Sequence, residues 1–337
     1  MSVGSCTVRK YIPSERNALP EELTSVEICA GAGGQALGLE LAGFGHEALV
    51  EIEAPAAATL RLNRPDWNVA ETDLLGWSGK PFEGVDLLAG GVPCPPFSKA
   101  GKQLGAEDER NLFPKAIELV DEIRPKAVML ENVRGLLDPV FDEYRESVNN
   151  QLRKLGYKPD WRLLNASSYG VSQLRPRVIC VAMRNEFADD FVWPTPDEIT
   201  PATVGELLKD LMASGGWEGA EAWAKGASSI APTLVGGSKK HGGPDLGPTR
   251  ARAAWAALGV DGKTIADEVP EPGFVGMPRL TVRMAARVQG FPDDWAITGR
   301  KTAAYRQVGN AFPPPVAAAV GRQIHAALTT RRLQAVA

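Results

Sequence analysis

The chain has 337 residues, 44% hydrophobic and 23% charged, a balance that excludes a disordered or membrane-embedded chain and suits one large domain carrying a smaller insert. Thirty-seven Lys and Arg stand against 41 Asp and Glu, a formal charge of −4, so general coating of nucleic acid by positive charge is excluded while a local basic surface stays open.

Residues 1–22 are polar and interrupted by proline, which predicts a loose N-terminal arm. From Ser25 onward short apolar runs alternate with helix-like stretches: SVEICA then QALGLELAGF, HEALVEI then APAAATLRLN, VDLLAGG then LFPKAIELVDEI, KAVMLENV then ESVNNQLRKLGY. That alternation predicts an α/β fold with a doubly wound, mostly parallel sheet. Pro114 fits a first helical turn, and Gly43 and Gly156 follow helical patterns. RVICVAMR reads as a further buried strand. After about Asn185 the texture turns to Gly, Pro and Trp with weak periodicity, which predicts a smaller irregular domain over 186–298. YRQVGNAFPPPVAAAVGRQIHAAL reads as a loop, a Pro-rich helix start and an Ala-rich helix that packs back on the first domain, so residues 23–185 and 299–330 are expected to form one unit.

No stretch approaches the roughly 18 consecutive apolar residues of a membrane span, and the N-terminus lacks an apolar signal core, so no membrane association and a cytoplasmic location are expected. Cys6, Cys29, Cys94 and Cys180 show no CxxC or Cys/His spacing, and the histidines His46, His241 and His325 join no such set, so neither a zinc site nor any other metal is expected.

The candidate chemistry gathers at the ends of the predicted strands. VEICAGAGG closes a strand in glycines and opens a helix, which lets backbone approach a ligand at the carboxyl edge of the sheet. Glu51 follows the next strand, about 20 residues on, where a carboxylate can accept both hydroxyls of a ribose. Asp73 in ETDLLGW is placed to take an adenine amino group. Gly31, Gly33 and Ala36 also fit a GxGxxA dinucleotide fingerprint, and a nicotinamide dehydrogenase is the competing reading. GGVPCPPFSKAG then sets Cys94 between prolines after VDLLA, a stiff loop where a thiol is exposed for reaction instead of packed in the core. VMLENV ends its strand in Glu131 and Asn132, and partial burial there would let the carboxyl hold a proton near neutrality. Arg175 and Arg177 alternate at the start of the next strand and can face one side of it. Lys239, Lys240, His241, Arg250 and Arg252 cluster among glycines with Asp245 as the one intervening acid, a candidate surface for phosphates and base edges.

Taken in order from about Ser25 to Ala327, these residues resemble the cytosine-5 DNA methyltransferase family. VEICAGAGG is similar to its first cofactor loop, VPCPPFS to its nucleophile loop, and ENV at 131–133, QLRPR at 173–177, RLTVRMAARVQGFPDDW at 279–295 and YRQVGNAFPPPVA at 305–317 to its remaining motifs. The resemblance implies a Rossmann-like domain that binds S-adenosylmethionine and releases S-adenosylhomocysteine, with Cys29, Ala30, Gly31, Gly33 and Gly34 of the first loop at the cofactor. Glu51 with Ile52, Asp73 with Leu74, Pro93, and Asn310 with Ala311 complete that expected lining. It implies double-stranded DNA as substrate, a recognition region between QLRPR and RLTVR, Ser98 with Lys239, Lys240, Arg250 and Arg252 at the DNA, and a monomer whose partner, if any, is a restriction endonuclease acting on the same site without contact.

The chemistry so implied flips the cytosine out of the helix at a cost of a few kcal/mol. Cys94 attacks C6, Glu131 at N3 and Arg177 at O2 stabilise the developing charge, and Asn132 and Arg175 flank them as further catalytic candidates. Three departures from the family pattern stand out: Cys29 where an aromatic is common, Pro95 where Gln is frequent, and Met284 in place of the Glu of RExAR. A tRNA cytosine-5 methyltransferase of the same fold shares this chemistry, and the long irregular segment favours duplex DNA. A non-catalytic DNA-binding relative is disfavoured by the retention of Cys94, Glu131 and Arg177.

Overall fold

A computed structural model describes residues 23–93, 111–198, 200–237 and 243–336, with side chains through Thr330. The arm expected over residues 1–22 lies outside them. In chain order the first part runs β1 (Leu23–Ile28), α1 (Gly34–Leu41), β2 (Phe44–Glu51), α2 (Ala54–Asn63), β3 (Val69–Glu71), β4 (Leu87–Gly91), α3 (Phe113–Ile123), β5 (Ala127–Val133), α4 (Asp142–Lys154), β6 (Tyr157–Asn165) and β7 (Pro176–Arg184). These strands form one seven-stranded sheet in the order β3-β2-β1-β4-β5-β7-β6. The first five are parallel, while β7 runs antiparallel to both β5 and β6. The sheet is therefore mixed and Rossmann-like.

The interior strands are readable because helices cover both faces, so β4, β5 and β7 are largely apolar runs, while β1 also carries Thr24, Ser25 and Glu27. Val26, Ile28, Leu88, Val128 and Leu130 enter a cluster with α3, whereas Leu23, Leu87, Met129 and Ile179 enter one with the C-terminal helix. β6 escapes sequence reading for the opposite reason. Among the described residues it is an edge strand, YKPDWRLLN, largely exposed, and it tolerates Pro159 because one side has no described strand to bond.

The remainder comprises α5 (Val204–Ala213), α6 (Ala220–Gly226), α7 (Thr249–Ala256), α8 (Val282–Val288), α9 (Lys301–Asn310) and α10 (Pro314–Val336). Four of the tryptophans that gave residues 186–298 their irregular texture form its core: Trp217, Trp223, Trp255 and Trp295 pack with Leu208, Met212, Leu280 and Met284, and the same cluster takes in Ala32 and Leu37 beside the first loop. Met284 sits at the N3 position of α8, where its sulfur accepts the Thr281 N–H at 3.4 Å while the Thr281 hydroxyl accepts the Met284 N–H at 3.2 Å. A thioether thus stands in the capping place that a carboxylate takes elsewhere, and its full burial explains why a neutral group suits it.

One expectation is corrected. YRQVGN is helix, not loop: α9 begins upstream at Lys301 and buries Ala304, Tyr305 and Val308 at helical spacing, and Gln307 receives the Thr59 hydroxyl of α2 at 2.7 Å. The glycine and proline run that suggested a loop only ends it. After three intervening residues α10 starts on Pro314 and lies against α1, where the Cα of Gly38 allows contact with Ala317 and the Pro314 carbonyl.

Candidate active site

The chain reverses direction across the sheet at β1, which has β2 on one side and β4 on the other, and such a switch point opens a crevice at the carboxyl ends of the strands. The loop after β1 fills that place. Cys29, Gly31 and Gly33 all adopt left-handed backbone, with φ of 53°, 56° and 82°. The turn is closed by Gly33 N–H on the Ala30 carbonyl at 3.0 Å and by the Trp295 indole N–H on the Ala32 carbonyl at 3.0 Å.

The two glycines are required for different reasons. Among the described residues, a Cβ on Gly31 would meet nothing within 4 Å, whereas one on Gly33 would lie 2.6 Å from Leu60 Cδ2 and 2.9 Å from Trp295 Cζ2. Gly31→Ala should therefore cost only the left-handed backbone penalty, roughly 1–2 kcal/mol. Gly33→Ala should cost about 1–3 kcal/mol more through overpacking. Urea unfolding of the two variants checks this, and equal losses would contradict it.

Glu51, closing β2, is almost fully buried and accepts the Gly31 N–H at 2.6 Å and the Glu53 N–H at 2.7 Å, one on each oxygen. Burial raises its pKa, and the two backbone donors work against that rise. A carboxylate has about four acceptor positions, so two stay available to hydroxyl donors. Glu27, inside β1, was not singled out in sequence although an acid inside the apolar run VEICA was a visible signal. It is buried, and desolvation together with the neighbouring Glu51 holds its carboxyl well above the usual range.

Ile52 is 60% exposed and Leu75 58%, two apolar side chains left in solvent on successive loops of this edge. Between them Asp73 is exposed and spends one oxygen on the Leu75 N–H at 3.0 Å, while Leu74 is buried. Ala30 and Gly34 are buried and Pro93 is half-buried.

Of the two described cysteines, Cys180 is buried and Cys29 half-buried. Both thiols are raised by burial, Cys29 further by the carboxylates of Glu51, Glu27 and Asp73, so both stay protonated. Cys94 and Ser98 of the predicted nucleophile loop, and Lys239, Lys240 and His241 of the basic cluster, lie outside the described residues.

The chain leading into Cys94 is nevertheless anchored. Asn132, buried at the end of β5, donates its amide to the Val92 carbonyl at 3.3 Å and accepts the Val133 N–H at 2.8 Å. Gly91 pairs in register with Glu131, and a Cβ on Gly91 would stand 3.3 Å from the Glu131 carboxylate. Because β7 is antiparallel to β5, its beginning falls at the same edge where β5 ends. Arg177 Nε lies 2.7 Å from Glu131 Oε1, and both side chains are close to nine-tenths buried. Burial pushes the Glu131 carboxyl up, opposed by the positive charges of Arg177 and Arg175. The result is a carboxyl raised above its ordinary range beside a fixed guanidinium.

Arg175, expected as a second catalytic arginine, is placed otherwise. It is wholly buried and its guanidinium donates to the main-chain carbonyls of Leu234, Gly309 and Ala311, so it has no free face for a substrate. Asn310 is exposed and donates its amide to the Gly237 carbonyl at 3.2 Å, while Ala311 is buried and its carbonyl also receives the Gln289 amide. Arg250 is exposed and Arg252 half-buried on the first turn of α7.

The family model described as C-5 cytosine-specific DNA methylase matches residues 23–326. The chain is 60% identical over 310 residues to the type II methyltransferase M.NgoMIV of Neisseria gonorrhoeae, covering 91% of this chain and 98% of that one. It is also 60% identical over 314 residues to the type II methyltransferase M.NaeI of Lentzea aerocolonigenes, covering 91% and 76%. Among solved structures a DNA modification methyltransferase encoded within an Escherichia coli prophage superposes with a TM-score of 0.64 at 23% identity, covering 91% of this chain and 99% of that one. That similarity shows a shared fold.

Proposed function

Because the chain belongs to the C-5 cytosine-specific DNA methylase family, we propose that it methylates C5 of a flipped-out cytosine in a specific duplex sequence, using S-adenosylmethionine and a covalent bond from Cys94. The observation that carries this reading is the Glu131–Arg177 pair, held 2.7 Å apart at the sheet edge where the Gly31 and Glu51 cradle also opens.

The residues present fit the cofactor. A left-handed glycine with open space above it, a buried carboxylate with acceptor positions to spare, and exposed Ile52 and Leu75 offer backbone approach, a ribose partner and an apolar surface for adenine. Asp73 retains one carboxylate oxygen for the adenine amino group. The departure at Cys29 leaves the apolar stacking to Ile52 and Leu75. When bound, the donor supplies an electrophilic methyl group.

The protein's own residues prepare the base. Val92 and Pro93, tied to β5 by Asn132, carry the chain into Cys94, whose thiolate adds to C6 and turns the ring into a nucleophilic enamine at C5. Glu131 presents its proton at N3, and Arg177 stabilises charge at O2. After methylation, water takes the C5 proton, the C5–H pair forms the C5=C6 double bond as Cys94 leaves C6 as thiolate, and N3 returns its proton to Glu131, so the ring is aromatic again.

Residues 23–185 and 299–330 serve this chemistry and 186–298 read the target, with Arg250, Arg252, Lys239, Lys240 and Ser98 at the DNA. The relatives are named type II methyltransferases, and by that likeness the proposed partner is a restriction endonuclease acting on the same site without direct contact. Bisulfite sequencing of DNA from cells expressing the protein should show one short sequence fully protected at a single cytosine. Methylated tRNA with unmodified DNA would overturn the reading.

A further inference from the structure

The QLRPR segment sends Arg177 into the site, but its other two polar residues turn elsewhere. Arg175 Nη1 donates to the Leu234 carbonyl at 2.8 Å, and Nη2 to the carbonyls of Gly309 at 2.8 Å and Ala311 at 3.0 Å. Gln173, equally buried, accepts the Leu234 N–H at 2.9 Å and donates to Gln289 Oε1 at 2.8 Å and the Val288 carbonyl at 3.2 Å. Two distant pieces of chain, at Leu234 and at Gly309 to Ala311, thus close on one guanidinium two residues from Arg177, and a third, at Gln289, is tied in through Gln173 and the Ala311 carbonyl.

The tie continues past Leu234. Gly236 and Gly309 touch through their backbones: a Cβ on Gly309 would stand 2.5 Å from the Gly236 Cα. Asn310 then holds the Gly237 carbonyl. A wholly buried guanidinium whose hydrogen bonds go to carbonyls is a costly way to fill space, since an apolar side chain of similar volume is often as stable there. Its planar fork suits another task, holding several acceptors in fixed relation.

We propose that Arg175 is a positioning residue for target selectivity, locking the main chain from Leu234 to Gly237 in the reading region to the strand that carries Arg177. A poor fit at the DNA then displaces the Glu131–Arg177 pair, and discrimination shows in the chemical step as well as in binding. This rests on the methyl-transfer reading above.

The test is Arg175→Lys, which keeps the charge but cannot reach all three carbonyls. Single-turnover methylation is measured on a duplex with the mapped target and on one differing by a single base pair, with donor binding followed by calorimetry. The rate on the target should fall while the rate on the altered duplex changes little, so that their ratio drops about tenfold, with donor affinity unchanged. A parallel fall on both duplexes would show a merely structural role and overturn the proposal.

Gly236→Ala provides an independent arm should the lysine variant fail to fold. Its Cβ would press on Asn310 Oδ1 at 2.5 Å and the Arg306 carbonyl at 2.6 Å, moving the same main chain with the guanidinium intact. The same loss of ratio is expected, and an unchanged ratio would overturn the proposal. Failure of the wild-type protein to methylate any DNA would instead remove the reading beneath it, and the proposal with it.

Discussion

Cys94→Ser is expected to abolish methyl transfer, lowering the single-turnover rate by more than about 10³-fold while DNA affinity changes little. A hydroxyl at this position is almost wholly protonated at neutral pH and a poor nucleophile toward C6, whereas a free thiol with a pKa of about 8.5 already supplies some thiolate. Neither described cysteine can substitute, since burial keeps the thiols of Cys29 and Cys180 protonated. Transfer of tritium from labelled S-adenosylmethionine to DNA measures the rate, and gel mobility shift measures the binding. Turnover by the serine variant near the wild-type rate would remove Cys94 from the mechanism.

Glu131→Gln is expected to slow the chemical step by about 10²–10⁴-fold with donor affinity preserved, because the amide keeps the shape of the carboxyl but cannot deliver its proton to N3. The pH dependence supplies a second readout. Burial raises the Glu131 pKa, so the protonated, competent form persists above the ordinary carboxyl range and activity is lost as pH rises through the raised value. The wild-type rate should therefore show a descending limb on its alkaline side that is missing from the glutamine variant. The variant's residual rate should rise with pH as the Cys94 thiolate forms. A descending limb shared by both proteins would assign it to another group, and equal losses in rate and donor affinity would make Glu131 a structural residue.

The residues in these two experiments were legible before any coordinates because each sits where the strand pattern breaks. Parallel strands buried on both faces are written as apolar runs, so the polar residue ending such a run marks the carboxyl edge. Glu51, Cys94 and Glu131 were found in this way. Glu27 was passed over because it lies within a run instead of after it. The edge strand β6 left no apolar run to read, and α9 was obscured by the glycine and prolines that follow it.

The ordered residues alone determined the sheet's alternation, the positions of the chemical groups along it and the family to which they belong, since each depends on local spacing and residue type. The tertiary structure decided what those groups do for one another. Two arginines two residues apart look equivalent in QLRPR, yet Arg177 meets a carboxylate and Arg175 three carbonyls from segments 59 to 136 positions away. Likewise, whether Gly33 needs its bare Cα is decided by Leu60 and Trp295, side chains brought against it only by folding. Desolvation and contact between remote segments arise only when the chain closes on itself, and they separate a positioning arginine from one that faces the site.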